Sequence, residues 1–359
     1  MAPSAHPSMP SLLSRALPWA RTLVAALALT LPSCEKKSGT PDWNTPSQAL
    51  PPPTANSSQP TTTPPPTTTQ ADPTPSPTQE PTPSPSGGLR FITYNIENWL
   101  TMDRTIDRKS FPNSPKPDPE KQAAITLIAR HQPDVLGLCE IGTRDDLAEI
   151  QAALKAAGSD LPHSHYTGGS DETRHLGILS KFPITRTNQP AKRDYQLNGT
   201  TFAINRGILD ATITANAKPF RFLGVHLKSQ RDVEEGDQEL MRQNEAHLLR
   251  THVDSILNSD PNTRLIVYGD FNDTWSTPTL KTIVGTYNTP NYLTAIRAND
   301  RQGTFWTHYW QQRDIYSRFD FITVSQALKR DTDFKNCRII DDPEWKDASD
   351  HRPVLAIFR

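Results

Sequence analysis

The chain has 359 residues and is close to electrically neutral, with 38 Lys and Arg residues against 39 Asp and Glu residues. Without the four basic and four acidic residues that precede Gly88, the remainder still holds 34 basic and 35 acidic residues. No basic stripe is apparent, which argues against tight, salt-resistant DNA binding but permits an enzyme that contacts a few phosphates locally. The 34 prolines are unevenly placed, since 15 of them lie between Pro41 and Pro85.

Residues 1–34 are typical of an export signal. Two arginines precede the apolar run Leu23 to Leu31, which is too short to span a bilayer but has the length of a signal-peptide core. The run ends in "LPSC", which resembles a bacterial lipobox, so we predict a lipid anchor on Cys34. Pro32 departs from the usual lipobox, and ordinary signal cleavage beside an incidental cysteine is the alternative. The lipid would hold the exported protein at the bacterial cell envelope or surface; without it the protein would be periplasmic or secreted.

Residues 35–88 are predicted to form a disordered Pro/Thr-rich linker. The segment mixes prolines with runs such as Thr61-Thr62-Thr63 and has few apolar residues to offset the entropy of ordering. An extended, polyproline-like spacer is therefore expected, with partner recognition by its proline motifs as the alternative.

Residues 89–359 have the composition of one globular domain, near the upper size for a single core. The predicted strands are Arg90–Tyr94, Val135–Glu140, Leu176–Ser180, Gly207–Thr212, Phe220–His226, Leu265–Asp270, Phe319–Val324 and Val354–Phe358. One helix is predicted with Asp118 as its cap and Pro119 in its first turn, and a second over Glu239–Asn258. Helices that cover strands buried on both faces indicate a layered α/β domain with two sheets.

The two cysteines of this domain are predicted to be unpaired and buried. A disulfide would need their Cα atoms within about 6 Å of each other. Cys139 lies inside the apolar run "DVLGLCE", where a small residue fits a core strand better than a redox role.

Polar residues stand at the exits of the predicted strands. Strand exits along one edge of a sheet bring residues distant in sequence into one pocket, so the pattern predicts a single polar site. Glu140, which ends "LGLCE", is a hard oxygen ligand suited to Mg²⁺, and Asn95 in "TYNIEN" can orient it without adding charge. Taken alone, Glu140 also fits a solvated residue that heads the next loop and helix, "IGTRDDLAEI"; the other polar residues favour the metal.

Asp270 and Asn272 in "VYGDFND" alternate in a segment predicted to be extended, so their side chains should point the same way. A carboxylate that accepts a proton from water, beside an amide that donates to a phosphoryl oxygen, suits hydrolysis. A turn at Gly269-Asp270 with Asn272 as a polar cap is the alternative.

His226 in "GVHLKS" and His351 in "SDHRPV" supply groups that change charge near neutral pH. Asp320 in "RFDFI" is the best available partner, because a buried aspartate bonded to one ring nitrogen fixes the tautomer and stabilises the imidazolium. A lone histidine is more often structural, but the placement of these two beside strand ends favours catalysis. The whole set predicts a divalent-metal phosphoesterase.

Taken in order, these motifs closely resemble the endonuclease/exonuclease/phosphatase superfamily, the DNase I-like group, over essentially all of residues 89–358. The resemblance implies a four-layer α/β/β/α sandwich of two mixed β-sheets flanked by helices. It also implies phosphoester hydrolysis that depends on Mg²⁺, with Mn²⁺ or Ca²⁺ as alternatives.

The resemblance assigns roles to individual residues. Glu140 and Asn95 match the metal-binding glutamate and its companion, and Asp350 matches an acid that is a candidate second metal ligand. The remaining matches are to catalytic residues: His226, Asp270, Asn272, Asp320 and His351. The family is interpreted with either the aspartate or the histidine as general base, so that role stays open. The acid that partners the first histidine in DNase I has no clear counterpart, and Glu172 lies nearest to the expected place.

Substrate contacts are predicted from neighbouring basic and aromatic residues. The candidate phosphate contacts are Arg174, Lys228 and Arg231. The aromatic residues that can stack on a base or sugar, or pack as a lid, are Trp275, Trp306 and Tyr309.

An exported, tethered enzyme with a basic rim favours a nuclease that cleaves nucleic acid outside the cytoplasm. The alternative in the same class is a phosphatase or phosphodiesterase on lipid or small organophosphate substrates, similar to a sphingomyelinase or an inositol phosphatase. The sequence shows no apolar hairpin for membrane docking, which disfavours the lipid version. A catalytically inactive surface binding module is the alternative outside enzymes, but it would not need the complete polar set. Nucleic acid and, through Cys34, the membrane are the predicted partners; no obligate protein partner is indicated, and a monomer is expected.

Overall fold

The structure, a computed structural model, describes residues 88–106 and 108–359. The predicted signal peptide, the lipid anchor on Cys34 and nearly all of the Pro/Thr-rich linker lie outside the described residues. Within the described part, no helix has the length and hydrophobicity needed to cross a membrane.

The described chain forms strands and helices in mixed order. The strands are β1 (Leu89–Trp99), β2 (Met102–Ile106), β3 (Lys109–Ser114), β4 (Val135–Ile141), β5 (His163–Thr167), β6 (His175–Ser180), β7 (Ile184–Asn188), β8 (Asp194–Leu197), β9 (Thr200–Ala203), β10 (Ile208–Ala215), β11 (Lys218–His226), β12 (Leu265–Asp270), β13 (Thr294–Ala295), β14 (His308–Trp310), β15 (Ile315–Ser317), β16 (Asp320–Val324), β17 (Arg338–Ile339) and β18 (Val354–Phe358). The helices are α1 (Asp118–Arg130), α2 (Arg144–Ala156), α3 (Gln238–Ser259), α4 (Pro278–Val284), α5 (Gln326–Lys329) and α6 (Trp345–Ala348), with a 3₁₀ turn at Gln311–Arg313.

Two six-stranded sheets organise the domain. The first has the order β17-β18-β1-β4-β6-β5, and the second has the order β13-β16-β12-β11-β10-β7. Both are mixed: β1 pairs in parallel with β4, and β11 pairs in parallel with β12, while the other pairings are antiparallel. Antiparallel hairpins β2–β3, β8–β9 and β14–β15 lie outside these sheets.

The buried apolar residues fall into three clusters that separate four layers. One cluster lies between the sheets and contains Phe91, Phe222 and Tyr268. A second joins the first sheet to α1 and α2, and a third joins the second sheet to α3 and α4. The predicted four-layer sandwich of two mixed sheets flanked by helices is thus confirmed.

Tyr268 shows how closely the two sheets approach. Its ring, with its hydroxyl buried, lies against Gly137 of β4 and Gly224 of β11. A Cβ atom at Gly137 would stand 2.2 Å from a ring carbon of Tyr268, and one at Gly224 would stand 2.6 Å from its hydroxyl oxygen. Any larger residue at Gly137 would push the sheets apart, because interiors are close-packed.

All eight predicted strands and both predicted helices are present, and Cys139 and Cys337 are free and buried. Asp118 is not a cap: it is the first residue of α1, Pro117 occupies the N-cap, and no side chain caps this helix. The helix suggested after Glu140 is also present as α2, which begins with a capping box formed by Thr143 and Asp146.

Candidate active site

The predicted site residues meet at the edge where the central strands of both sheets end. The register of β11, β12 and β16 places His226 beside Asp270, and Asp270 beside Asp320. In the facing sheet, β1 carries Asn95 next to the end of β4, where Glu140 lies. Strand pairing therefore gathers residues that are distant in the sequence.

Asn95 links the two sheets across the site. Its side-chain amide donates to Glu140 Oε1 at 3.2 Å and to Asp270 Oδ2 at 3.1 Å. Glu140 lies at an irregularity of β4 with a φ of 65°, and its Oε2 accepts from the backbone N–H of Asn98 at 2.9 Å. Bulges of this kind re-aim a side chain beside a functional site, and here the carboxylate is turned toward Asn95.

Asp320 and His351 form a buried, hydrogen-bonded pair. His351 Nδ1 lies 2.7 Å from Asp320 Oδ2, and His351 Nε2 lies 3.7 Å from Asp270 Oδ2. Burial lowers the pKa of His351, but the charges of Asp320 and Asp270 outweigh it and hold that pKa well above its ordinary value. Burial also raises the pKa of Asp270 to about 6, while His351 and the hydrogen bonds from Asn272 and Asn95 oppose that rise. The imidazolium is therefore the favoured form of His351 at neutral pH.

His226 occupies the opposite side of Asp270. Its Nε2 lies 3.5 Å from Asp270 Oδ2 and 3.9 Å from Glu140 Oε1, and the ring is buried. Its Nδ1 is buried without a hydrogen-bond partner among the described residues. Burial lowers the pKa of His226 well below its ordinary value, and the positive charge of Arg206 adds to that effect. Glu172 is exposed and makes no hydrogen bond or ion pair with this ring within the described chain, so the structure does not pair it with His226.

Asn272 does not continue an extended segment, contrary to the sequence expectation. Strand β12 ends at Asp270, and Asn272 has a φ of 49° in the left-handed region, where asparagine is tolerated. Its backbone N–H donates to Asp270 Oδ1 at 2.8 Å, and its side-chain amide donates to Leu227 O at 3.0 Å. Asn272 thus holds the Asp270 carboxylate and ties the end of β11 to that of β12.

A second cluster, formed by Glu97, Asp350 and His308, lies beside His351, and the sequence analysis identified only Asp350. The Asp350 backbone N–H donates to Glu97 Oε2 at 2.9 Å, and Asp350 Oδ2 lies 3.7 Å from His308 Nε2. Burial and the charge of Asp350 raise the pKa of Glu97 to about 7. Burial would raise the pKa of Asp350, but the nearby ring of His308 and the charge of His351 bring it below its usual value. Glu97 could have been found, two residues after Asn95 in "TYNIEN"; His308 follows no motif.

The basic candidates differ in position. Arg174 Nε donates to Asn98 Oδ1 at 2.8 Å, which connects it to the Glu140 side of the site. Lys228 is buried, with only 6 % of its surface exposed, on the His226 side. Arg231 is exposed and makes no hydrogen bond or ion pair within the described part of the chain.

The aromatic candidates contact other side chains, and Trp275 remains partly exposed. Trp275 lies against Phe321 with Arg297 over its ring, and Trp306 packs between Tyr316 and Trp345.

The hairpin β14–β15 departs from the sequence expectation of no apolar hairpin. Tyr309 stacks on Tyr316 within it, and Trp310, Ile315 and Tyr316 are exposed. It begins at His308, which is bridged to His351, so an apolar surface adjoins the site.

The donor set fits a divalent cation. Carboxylates converge on His351, since ligand atoms of Asp270 and Asp320 lie within 4.8 Å of it and of each other, and those of Asp350 and His308 do the same on its other side. His351, bonded to Asp320 and protonated, is a donor here, so the carboxylates are the groups that could hold the metal. Carboxylate and amide oxygens are ligands that Mg²⁺, Mn²⁺ and Ca²⁺ accept. One oxygen of Asp320 is buried without a hydrogen bond among the described residues, and the raised pKa values of Glu97 and Asp270 mark crowded, uncompensated carboxylates. A bound cation would offset this negative charge.

Two sheets flanked by helices, with carboxylates, amides and histidines at one edge, define the DNase I-like class of phosphoester hydrolases. The sequence pattern of the Endonuclease/Exonuclease/phosphatase family matches residues 92–351, so the chain belongs to this family. A comparison with curated proteins found no match.

Solved structures share the fold at low sequence identity. An endonuclease/exonuclease/phosphatase from Bacteroides vulgatus is 18% identical with a TM-score of 0.53, covering 76% of this chain and 98% of its own. The human Nocturnin catalytic domain with bound sulfate is 17% identical with a TM-score of 0.52, covering 77% and 96%. Beta toxin from Staphylococcus aureus is 15% identical with a TM-score of 0.52, covering 75% and 99%. At such identities the likeness shows the fold alone.

Proposed function

We propose that this protein is a divalent-metal-dependent nuclease that hydrolyses phosphodiester bonds of nucleic acid. The observation that carries the proposal is the arrangement around Asp270: it lies close to Glu140 and Asp320, and the buried basic residues Arg206 and Lys228 lie on the His226 side. The carboxylates suit a metal and an attacking water, whereas the cations suit a polyanionic substrate.

Each residue of the site has a distinct task in this proposal. Glu140 would hold the cation, with Asn95 orienting its carboxylate through the side-chain amide and Asp350 at a second position. The bound cation would polarise a phosphoryl oxygen. Asp270, oriented by Asn95 and Asn272, accepts a proton from the attacking water, because its raised pKa makes it a stronger base than an ordinary aspartate while leaving it ionised at neutral pH.

The two histidines then face the developing negative charge. His351, kept in one tautomer by Asp320, donates from Nε2 to a phosphoryl oxygen. Burial keeps His226 neutral, so its ring can donate without adding a charge beside Arg206 and Lys228. These assignments give the base role to the aspartate rather than to the histidine.

We further propose that the enzyme acts outside the cytoplasm as a monomer. The apolar run before Cys34 supports export and a lipid anchor, and the Pro/Thr-rich segment supports a spacer between that anchor and the catalytic domain.

A lipid phosphodiesterase is the second candidate, and the exposed hairpin β14–β15 favours it. Trp310, Ile315 and Tyr316 offer an apolar surface beside the site, which suits contact with a bilayer interface.

A substrate panel separates the candidates. The purified full-length chain would be supplied with Mg²⁺ or Mn²⁺ and given plasmid, single-stranded DNA, RNA, sphingomyelin vesicles or inositol phosphates. We expect turnover of at least one nucleic acid to exceed that of the other substrates by a factor of at least about ten. Preferred turnover of sphingomyelin, lost on Trp310→Ala, would establish the second candidate instead, and binding without any turnover would indicate an inactive module.

A further inference from the structure

The His226 side of the site carries a buried arginine that no motif indicated. Arg206 lies in the loop between β9 and β10, and its side chain is only 9 % exposed. Its Nε lies 3.2 Å from Asp171 Oδ2, but the N–H group does not point at that oxygen, so the contact is an ion pair and not a hydrogen bond. Both Nε and Nη1 are buried without a hydrogen-bond partner among the described residues. A buried donor that lacks a partner costs stability, so an acceptor in the working complex would explain this arrangement.

The backbone around Arg206 is held in place by a second loop. The N–H of Ser170 donates to Ile204 O at 3.3 Å, and the N–H of Asp171 donates to Asn205 O at 2.8 Å. Gly207 has a φ of +76°, and a Cβ atom there would stand 2.4 Å from Gly168 O. Only glycine fits this approach, so the two loops are locked together and the arginine is preorganised.

Lys228 is brought to the same place by a buried carboxylate. Glu245 of α3 is fully buried and accepts from the backbone N–H of Asn205 at 2.9 Å and from that of Lys228 at 2.6 Å. The Glu245 side chain thus connects the backbone of Asn205, which precedes Arg206, to the backbone of Lys228. Burial and the nearby charge of Arg206 lower the pKa of Lys228.

The ammonium group of Lys228 makes no hydrogen bond or close ion pair within the described part of the chain. Glu245 therefore holds the backbones of Asn205 and Lys228 together, two residues after His226 on the Lys228 side, and the Arg206 and Lys228 side chains each keep donors without a partner among the described residues. Arg206 has one ion pair within the described chain, with Asp171, and that contact leaves two of its buried nitrogens without a hydrogen bond, which is costly unless a further anion binds them. An anion with several oxygens, such as a phosphate, matches these donors.

We propose that Arg206 and Lys228 bind the phosphate next to the one that is hydrolysed, so that preferred substrates carry at least two phosphates along one chain. The inference rests on the proposed function, which places the reacting phosphate at Asp270 and His351. It favours oligonucleotides over a phosphodiester that stands alone, such as that of a phospholipid headgroup.

Calorimetric titration of the full-length chain with Mg²⁺ present tests this subsite. The probes are thymidine 3′,5′-bisphosphate and thymidine 5′-monophosphate. We expect the bisphosphate to bind roughly tenfold tighter or more, because charge-assisted hydrogen bonds are among the stronger polar contacts. In Arg206→Gln and in Lys228→Gln, this preference should fall to about twofold or less, with binding of the monophosphate unchanged.

Arg186→Gln is the matched control, because Arg186 is an exposed arginine on β7, in the same sheet as β11, the strand that precedes Lys228. It should retain the full preference. Equal weakening of both probes in Arg206→Gln and Lys228→Gln, or no preference in the native chain, would overturn the proposal. If Arg206→Gln does not fold, Lys228→Gln decides alone, since the Lys228 backbone, not its side chain, holds Glu245.

The readout is binding, so it does not depend on cleavage. A bisphosphate preference in a chain that cleaves no nucleic acid would overturn the proposed function and keep the subsite. Cleavage of nucleic acid without a bisphosphate preference would overturn the subsite and keep the proposed function.

Discussion

Replacement of Asp320 by asparagine tests the pair that holds His351. Both side chains are no more than 6 % exposed, and they share a charge-assisted bond of 2.7 Å. Such a bond contributes up to about 3 kcal/mol, and its loss in the transition state corresponds to a fall in turnover on the order of a hundredfold. Because asparagine keeps the shape but can hold the wrong tautomer, substrate affinity and stability should change little.

The assay is a double-mutant cycle on the cleavage of one oligonucleotide. Asp320→Asn and His351→Ala should each lower turnover on the order of a hundredfold, and the double variant should be scarcely slower, because the two residues act as a unit. If the fold losses of turnover in the two single variants multiply in the double variant, Asp320 and His351 act independently and do not form a catalytic pair.

The chain offers a matched control in a second buried aspartate–histidine pair. Asp210 Oδ2 lies 2.8 Å from His252 Nε2, between β10 and α3. Asp210→Asn should lower the free energy of unfolding, because it also weakens the pairing with Arg221, while the folded enzyme keeps its turnover. A comparable loss of turnover in this variant would mean that the Asp320 result reports general damage.

Three further changes probe the metal ligand, the anchor and a buried ion pair. Glu140→Gln should keep the circular dichroism spectrum of the native chain but lose metal-dependent turnover by several orders of magnitude; near-native turnover at saturating Mg²⁺ would show that the ligand assignment is wrong. Cys34→Ser should move the protein from the membrane fraction to a soluble exported pool, an expectation contradicted if the native chain is already soluble. Asp342→Asn should lower the free energy of unfolding in urea by about 2 kcal/mol at neutral pH, because the hydrogen bond from His131 lowers the pKa of Asp342 to about 2. A folded-state pKa below the unfolded value stabilises the fold above about pH 4, so the difference between variant and native chain should vanish between about pH 4 and pH 2; a difference that does not depend on pH would refute this cause.

The layered fold could be predicted because its strands are apolar on both faces and its polar residues follow them. Strands such as Leu265–Asp270 are fully buried, and burial on both faces is what produces their continuous apolar pattern in the sequence. The hairpin β14–β15 was missed because it keeps its apolar residues at the surface. The spacing of apolar residues along the chain carries little information about segments of this kind.

The site was predictable where strand register alone places a side chain. His226, Asp270 and Asp320 are register neighbours, so their adjacency follows once the sheet is known. Asn272 was misplaced because its left-handed backbone overrides strand alternation. Arg206 was missed because its position depends on two interlocked loops.

Plasmid cleavage before and after removal of divalent metal tests the central claim most directly. The full-length chain would be treated with EDTA, assayed, and assayed again after Mg²⁺ is returned, beside Asp320→Asn purified in the same way to measure contaminating nuclease. We expect no cleavage in EDTA, recovery with Mg²⁺, and at most about one hundredth of that rate in the variant. Cleavage that persists in EDTA, or equal rates in both preparations, would contradict a metal-dependent nuclease built around Asp270 and His351.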